Sequence, residues 1–129
     1  MSASYLDNTL STPIALSNSI SNIFLRAGIP ANIRGYHYLK EAVRLVFYEP
    51  QIITKITKNL YPRIAERYST SAFKVERAIR HAITVAWERG KFENFNLMFG
   101  YKVCEKNYKL TNSELIALIA EKLFMDTSL

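Results

Sequence analysis

The sequence predicts an all-α protein, a compact bundle of about six helices that contains a helix-turn-helix. Three observations carry this prediction. Apolar residues recur at the three- and four-residue spacing of a helix in one segment after another, as in Tyr38, Leu39, Ala42, Val43, Val46 and Phe47. Gly and Pro residues, with Ser and Thr as caps, punctuate those segments where helices start and stop. No segment alternates apolar and polar residues convincingly enough for a strand, and no internal repeat is visible.

Taken in order, residues 1–18, MSASYLDNTLSTPIALSN, are rich in Ser, Thr and Asn and nearly uncharged. They read as a linker or flexible arm ahead of a domain over 19–129. Ile20, Ile23, Phe24 and Ala27 make a first short helix, ended by Gly28 and Pro30. The stripe over 38–47 makes a second, which stops before Pro50. Pro62 disfavours helical geometry at Tyr61, so a break is expected there and a short helix from about Pro62. Ser69, Thr70 and Ser71 supply a turn and an N-cap for a long helix that ends at Gly90. FENFNLMFG reads as a short helix closed by Gly100, and residues 101–110 as a polar, Lys-bearing loop. Thr111 with Glu114 forms a capping box that opens the last helix, LIALIAEKLF.

A chain of 129 residues can bury one core without staples, and 49% hydrophobic residues with 22% charged ones fit a globular rather than a disordered protein. No apolar run is long enough to cross a membrane, and the N-terminus lacks a secretory pattern. With the lone Cys104, these features predict a cytoplasmic, nucleoid-associated location. The net charge of +6 points to a polyanion, and its distribution is uneven. Residues 55–91 hold nine Lys/Arg against three Asp/Glu, whereas 1–54 hold four against three and 92–129 four against five. The whole excess therefore lies around the long helix.

With Val75 at zero and about 100° per residue, Val75, Ala78, Ile79, Ala82, Ile83, Val85 and Ala86 fill one arc. Lys74, Glu76, Arg77, Arg80, His81, Thr84 and Glu88 fill the other; Phe73 and Trp87 break the separation. One face is anchored and the other presented. Ile64 and Ala65, a tight turn at Ser69 and Thr70, then Val75 and Ala78 have helix-turn-helix spacing, which places the second helix in a DNA major groove. Arg suits the O6 and N7 acceptors of guanine, and Glu accepts from the N4 amine of cytosine. Non-specific phosphate attraction has no use for Glu76 among the cations, but sequence reading does. Lys58, Arg63 and Arg67, on or near the first helix of the motif, are expected at phosphates. The plainer alternative is a solvated basic helix with an Ala-rich packing face.

VERAIRHAITVAWERG, preceded by LYPRIAERYSTSA, resembles the C-terminal DNA-binding (effector) domain family of stage 0 sporulation protein A, the response regulator that commits spore-forming Firmicutes to sporulation. GIPANIRGYHYLKEAV, MFGY and TNSELIALIAEKL extend the similarity over roughly residues 19–125. It implies a six-helix domain that binds double-stranded DNA at a TGTCGAA-like box and both activates and represses transcription. It implies base reading by Glu76, Arg77 and Arg80, with Lys74, His81 and Ser71 at phosphates or flanking groups. It also implies contact with an RNA polymerase sigma subunit from about residues 90–100, and a possible homodimer on tandem boxes. The family's full protein works in a two-component system through a receiver domain with a phosphorylatable Asp, where a divalent metal binds. No receiver is expected in these residues, since Asp7 is the only acid before the first core helix and has no other acid near it in the sequence, and no cofactor is expected in them. Phe73 stands where the family often has a small or polar residue.

Other classes fit less well. Two His, one Cys and no cluster at ligand spacing leave neither a metal site nor a catalytic site to assign, so no enzyme is expected. Lysines near Cys104 would lower its pKa, but an inert thiol is the simpler reading, as is a packing or hydrogen-bonding role for His37. FENFNLMFG would suit a protein-interaction module, although Phe92, Phe95 and Phe99 at helical spacing read first as core. A non-specific basic nucleic-acid-binding domain remains the other alternative.

Overall fold

The computed structural model describes residues 12–127, and every regular element among them is helical. Six α-helices follow one another: α1 (Pro13–Ala27), α2 (Arg34–Tyr48), α3 (Tyr61–Arg67), α4 (Ala72–Glu88), α5 (Asn94–Phe99) and α6 (Asn112–Thr127). A 3-10 turn over Pro50–Lys55 and a π turn over Ile56–Leu60 join α2 to α3.

The first helix corrects the expected arm. Residues 1–11 lie outside the described residues, but α1 already begins at Pro13, so 13–18 are helical. Thr12 is its N-cap, accepting from the Ala15 amide at 3.0 Å, and Pro13 occupies the first turn, where its missing N–H costs nothing. Leu16 extends the stripe of Ile20, Ile23, Phe24 and Ala27 by one turn, and all five are buried. At the other end Gly28 takes φ 82° and closes the helix, as expected.

The expected break at Tyr61 is also corrected. Tyr61 has φ −62° and ψ −43°, within the helical region, and its amide reaches back to the Ile56 carbonyl. A wider π turn thus precedes Pro62 and accommodates a ring that an uninterrupted α-helix would exclude. The chain enters α3 without leaving helical geometry.

The long second helix is the spine. It packs against α4 on one side and α6 on another, where Phe47 stacks on Phe124 with centroids 5.4 Å apart. Leu39, Leu60, Ile64, Val75, Ile79, Leu115, Ile116 and Ile119 meet in the centre, fully buried. Each such side chain contributes about 1.5–3 kcal/mol through removal from water. Phe92, Phe95 and Phe99 are buried too, which makes FENFNLMFG core on that side. The capping box of α6 is present in both directions: the Thr111 amide donates to Glu114 Oε1 at 2.9 Å, and the Glu114 amide to Thr111 Oγ1 at 3.3 Å. No helix among the described residues is long and apolar enough to cross a membrane.

Candidate nucleic-acid interface

The two helices α3 and α4 pack together across the turn at 68–71. That turn is a Schellman closure: the Thr70 amide bonds the Ala65 carbonyl at 2.9 Å and the Ser69 amide bonds that of Glu66 at 3.3 Å. Ser69 carries the reversal at φ 53°, a left-handed conformation more usual for Gly. Ser71 then caps α4, its hydroxyl accepting from the Lys74 amide at 3.2 Å. A capping hydroxyl still has its own proton to donate outward.

Helix α4 divides as its sequence predicts. Val75, Ile79, Ala82, Ile83 and Ala86 are buried, with Ala78 and Val85 half-buried beside them. Phe73, Lys74, Arg77, Arg80, His81 and Glu88 are exposed, and Glu76 and Thr84 are half-buried along the edge. Its partner includes α2 as well as the expected α3. Gly35 lets α2 approach so closely that a Cβ there would lie 2.1 Å from the Ala78 carbonyl oxygen.

The exposed face is internally organised. Arg80 Nη2 donates to Glu76 Oε1 at 2.6 Å, one turn away. The Arg77 guanidinium lies 5.4 Å from the centroid of the Phe73 ring. Thr84 Oγ1 donates to the Arg80 carbonyl at 3.0 Å and accepts from Lys109 Nζ at 3.1 Å. Glu76 and Arg80 also form one wall of an open cleft of about 980 Å³, whose rim carries Lys55, Lys58 and Lys109. Four cations and one carboxylate therefore line it.

Of the residues expected at DNA, Glu76, Arg80 and Lys58 come together at this cleft, and Lys74, Arg77, His81 and Ser71 continue the same exposed helix. Lys55 and Lys109 are additions. Lys55 lay within the basic segment, one turn before Lys58. Lys109 sits in the 101–110 loop, and no local pattern links it to Thr84, 25 residues earlier.

Arg63 and Arg67 are set apart from the cleft. Arg63 forks onto Glu49 at 2.8 and 3.1 Å, and Arg67 meets Glu41 at 3.0 Å. Glu41 is only 7% exposed and also takes both arms of Arg44, at 2.7 and 2.9 Å. Burial pushes its carboxyl up, but the hydrogen bonds and charges of Arg44 and Arg67 outweigh it and hold the group below its usual range. Arg63 is thus paired with Glu49, and Arg67 shares the one Glu41 carboxylate with Arg44, so both arginines brace α2 and its end as well as remaining exposed.

The remaining candidates are quiet. Cys104 is buried, and burial alone pushes its thiol up, away from the reactive thiolate. Asn96 bonds the Val103 and Cys104 amides and the Cys104 carbonyl, fixing the loop against α5. His37 is exposed, edge-on to Tyr36 at 5.3 Å. No group of three or more His, Cys, Asp or Glu among the described residues could hold a metal ion.

Residues 20–123 match the family model described as "Sporulation initiation factor Spo0A C terminal". The chain belongs to that family. This makes it a DNA-binding domain of a sporulation regulator, in a family of transcription factors and not of enzymes.

Proposed function

We propose that this member of the sporulation initiation factor Spo0A C-terminal family reads a TGTCGAA-like box with α4 in the major groove. The observation that carries this is the polar side of α4, where Arg77 is exposed and where Arg80 and the half-buried Glu76 line a cleft together with Lys55, Lys58 and Lys109. Arg77 and Arg80 each fork onto O6 and N7 of a guanine, and Glu76 accepts from the N4 amine of a cytosine. Lys74, His81 and Ser71 take phosphates or flanking groups at the ends of the helix. Lys55, Lys58 and Lys109 hold the phosphate backbone as it passes the cleft.

Bound in this way, the domain acts as activator and repressor at the entry to sporulation, in the cytoplasm on the nucleoid. Two copies sit on tandem boxes, and residues 90–100 meet an RNA polymerase sigma subunit through a surface that includes the exposed Leu97. No cofactor takes part in the reading. A selection from random DNA, followed by titration with Arg77→Ala and Arg80→Ala, tests the assignment. Each substitution is expected to cost about 1–3 kcal/mol on the selected box and less on random DNA. Equal losses on both would remove base reading from these residues.

A further inference from the structure

We infer that Phe73 is a specificity-determining contact for the C5-methyl group of a thymine, an apolar element set into the polar face of α4. The inference rests on the DNA reading proposed above. A single exposed apolar residue is ordinary on a protein surface. Phe73 is distinguished by its place and by what it touches. It lies in the first turn of α4 and is 66% exposed, while Val75, Ile79 and Ile83 on the same helix are buried in the core.

At about 100° per residue it falls about 160° from Val75, between Arg80 near 140° and Arg77 near 200°. The ring therefore stands in the middle of the presented face, not at its border with the core. Its one described partner is the Arg77 guanidinium, 5.4 Å from the ring centroid.

The first turn of a recognition helix is the part that meets base edges. In the major groove only the A·T pair offers a methyl group, and an apolar side chain is the partner that distinguishes it. Because the ring also backs Arg77, the thymine it meets belongs to the base pair next to the guanine that Arg77 reads. Phe73 thus couples two adjacent positions of the box, one through its edge and the other through the arginine on its face.

The test replaces each thymine of the selected box, one at a time, by deoxyuridine, which removes the methyl group and nothing else. With the unaltered chain, one replacement, beside the guanine whose contribution vanishes in Arg77→Ala, weakens binding about fourfold, the worth of burying about one carbon. Phe73→Ala makes binding indifferent to that replacement, and Phe73→Leu keeps most of the difference, with circular dichroism confirming the fold of both. A flat deoxyuridine scan, or an effect that persists in Phe73→Ala, overturns the inference while leaving the base reading by Arg77 and Arg80 intact. A selection that returns no consensus strikes instead at the DNA reading, and this inference goes with it.

Discussion

Replacing Gly35 by Ala should destabilise the protein, although Ala is the better helix former. At an exposed helical site the change gains about 0.8–1 kcal/mol. Here the new Cβ would sit 2.1 Å from the Ala78 carbonyl oxygen, 2.8 Å from the Ala78 carbonyl carbon and 2.8 Å from Ala82 Cβ. Comfortable contact between such atoms needs about 3.5 Å, so α2 and α4 must part by roughly 1 Å along their closest line. Two of the three obstacles are backbone, which has no rotamer to yield.

Overpacking of this kind costs about 1–3 kcal/mol, and a gap of 0.5–1 Å between the helices forfeits a quarter to a half of each dispersion contact along it. Because backbone atoms cannot yield, the upper end of that range applies, about 3 kcal/mol, and against about 1 kcal/mol of propensity a net loss of about 2 kcal/mol is expected. Urea unfolding reads this as a midpoint lowered by about 1 M, for a slope near 2 kcal/mol/M. Ala82→Gly in the same chain should not rescue it, because the nearest obstacle is the Ala78 carbonyl. A Gly35→Ala protein as stable as the parent, or more so, would refute the close approach and with it the account of how α4 is seated.

Three further outcomes follow from the same geometry. Ser69→Gly should raise stability by about 1 kcal/mol, since Ser at φ 53° holds a conformation that Gly adopts freely, and Ser69→Val should lower it; thermal unfolding checks the sign of each. The Glu41 carboxyl, held below its usual range, contributes stability that is present above the unfolded-state pKa and lost as pH falls through the lower folded value. Glu41→Gln should therefore cost about 1–3 kcal/mol at neutral pH, by leaving Arg44 and Arg67 without a counter-charge, and flatten the acid limb of the stability profile. Lys109→Ala should reduce the slope of log affinity against log salt by about 0.9, one phosphate's worth, while Arg63→Ala leaves the slope unchanged. A reversed pattern in that pair would exchange their roles.

The parts of the fold legible in the sequence are those that short-range physics decides. The stripes over 38–47 and 75–86, the Ser71 cap and the Thr111–Glu114 box depend on residues one turn apart, and each is where its spacing puts it. The polar composition before Ile20 hid the start of α1, although Thr12 and Pro13 are themselves a helix-start signal and Leu16 continues the stripe. At Tyr61 the local rule against helix before proline was overridden by a π turn that local propensity does not encode.

The candidate site divides in the same way. Which residues α4 presents follows from its periodicity alone. Which cations join them does not, because Lys109 reaches Thr84 only through the tertiary fold. Arg63 and Arg67 looked equivalent to Lys58 by charge and position, and they differ because Glu49 and Glu41, on or just beyond α2, face them.

The single carboxylate on the presented face of α4 before its last turn has work to do even before DNA arrives. Asn112, at the first turn of α6, donates both protons of its amide nitrogen, to the Tyr61 hydroxyl at 3.0 Å and to the Glu76 carbonyl at 3.1 Å. One side chain thereby ties the last helix to both members of the helix-turn-helix and fixes the backbone at Glu76. The Glu76 carboxylate in turn holds Arg80 through Nη2 and Oε1 at 2.6 Å. Arg has five N–H donors in a rigid fork, so holding one leaves others for the guanine of the proposed reading, and Oε2 of Glu76 for its cytosine. Part of the ordering of Arg80 is then made in the free protein and is not charged against binding. A cation at position 76 would add attraction to any phosphate, but it would repel Arg80 and leave its guanidinium to be ordered at each encounter. The carboxylate gives up one unit of non-specific attraction and obtains a fixed pair of complementary groups, an exchange that favours reading a sequence over merely adhering to DNA.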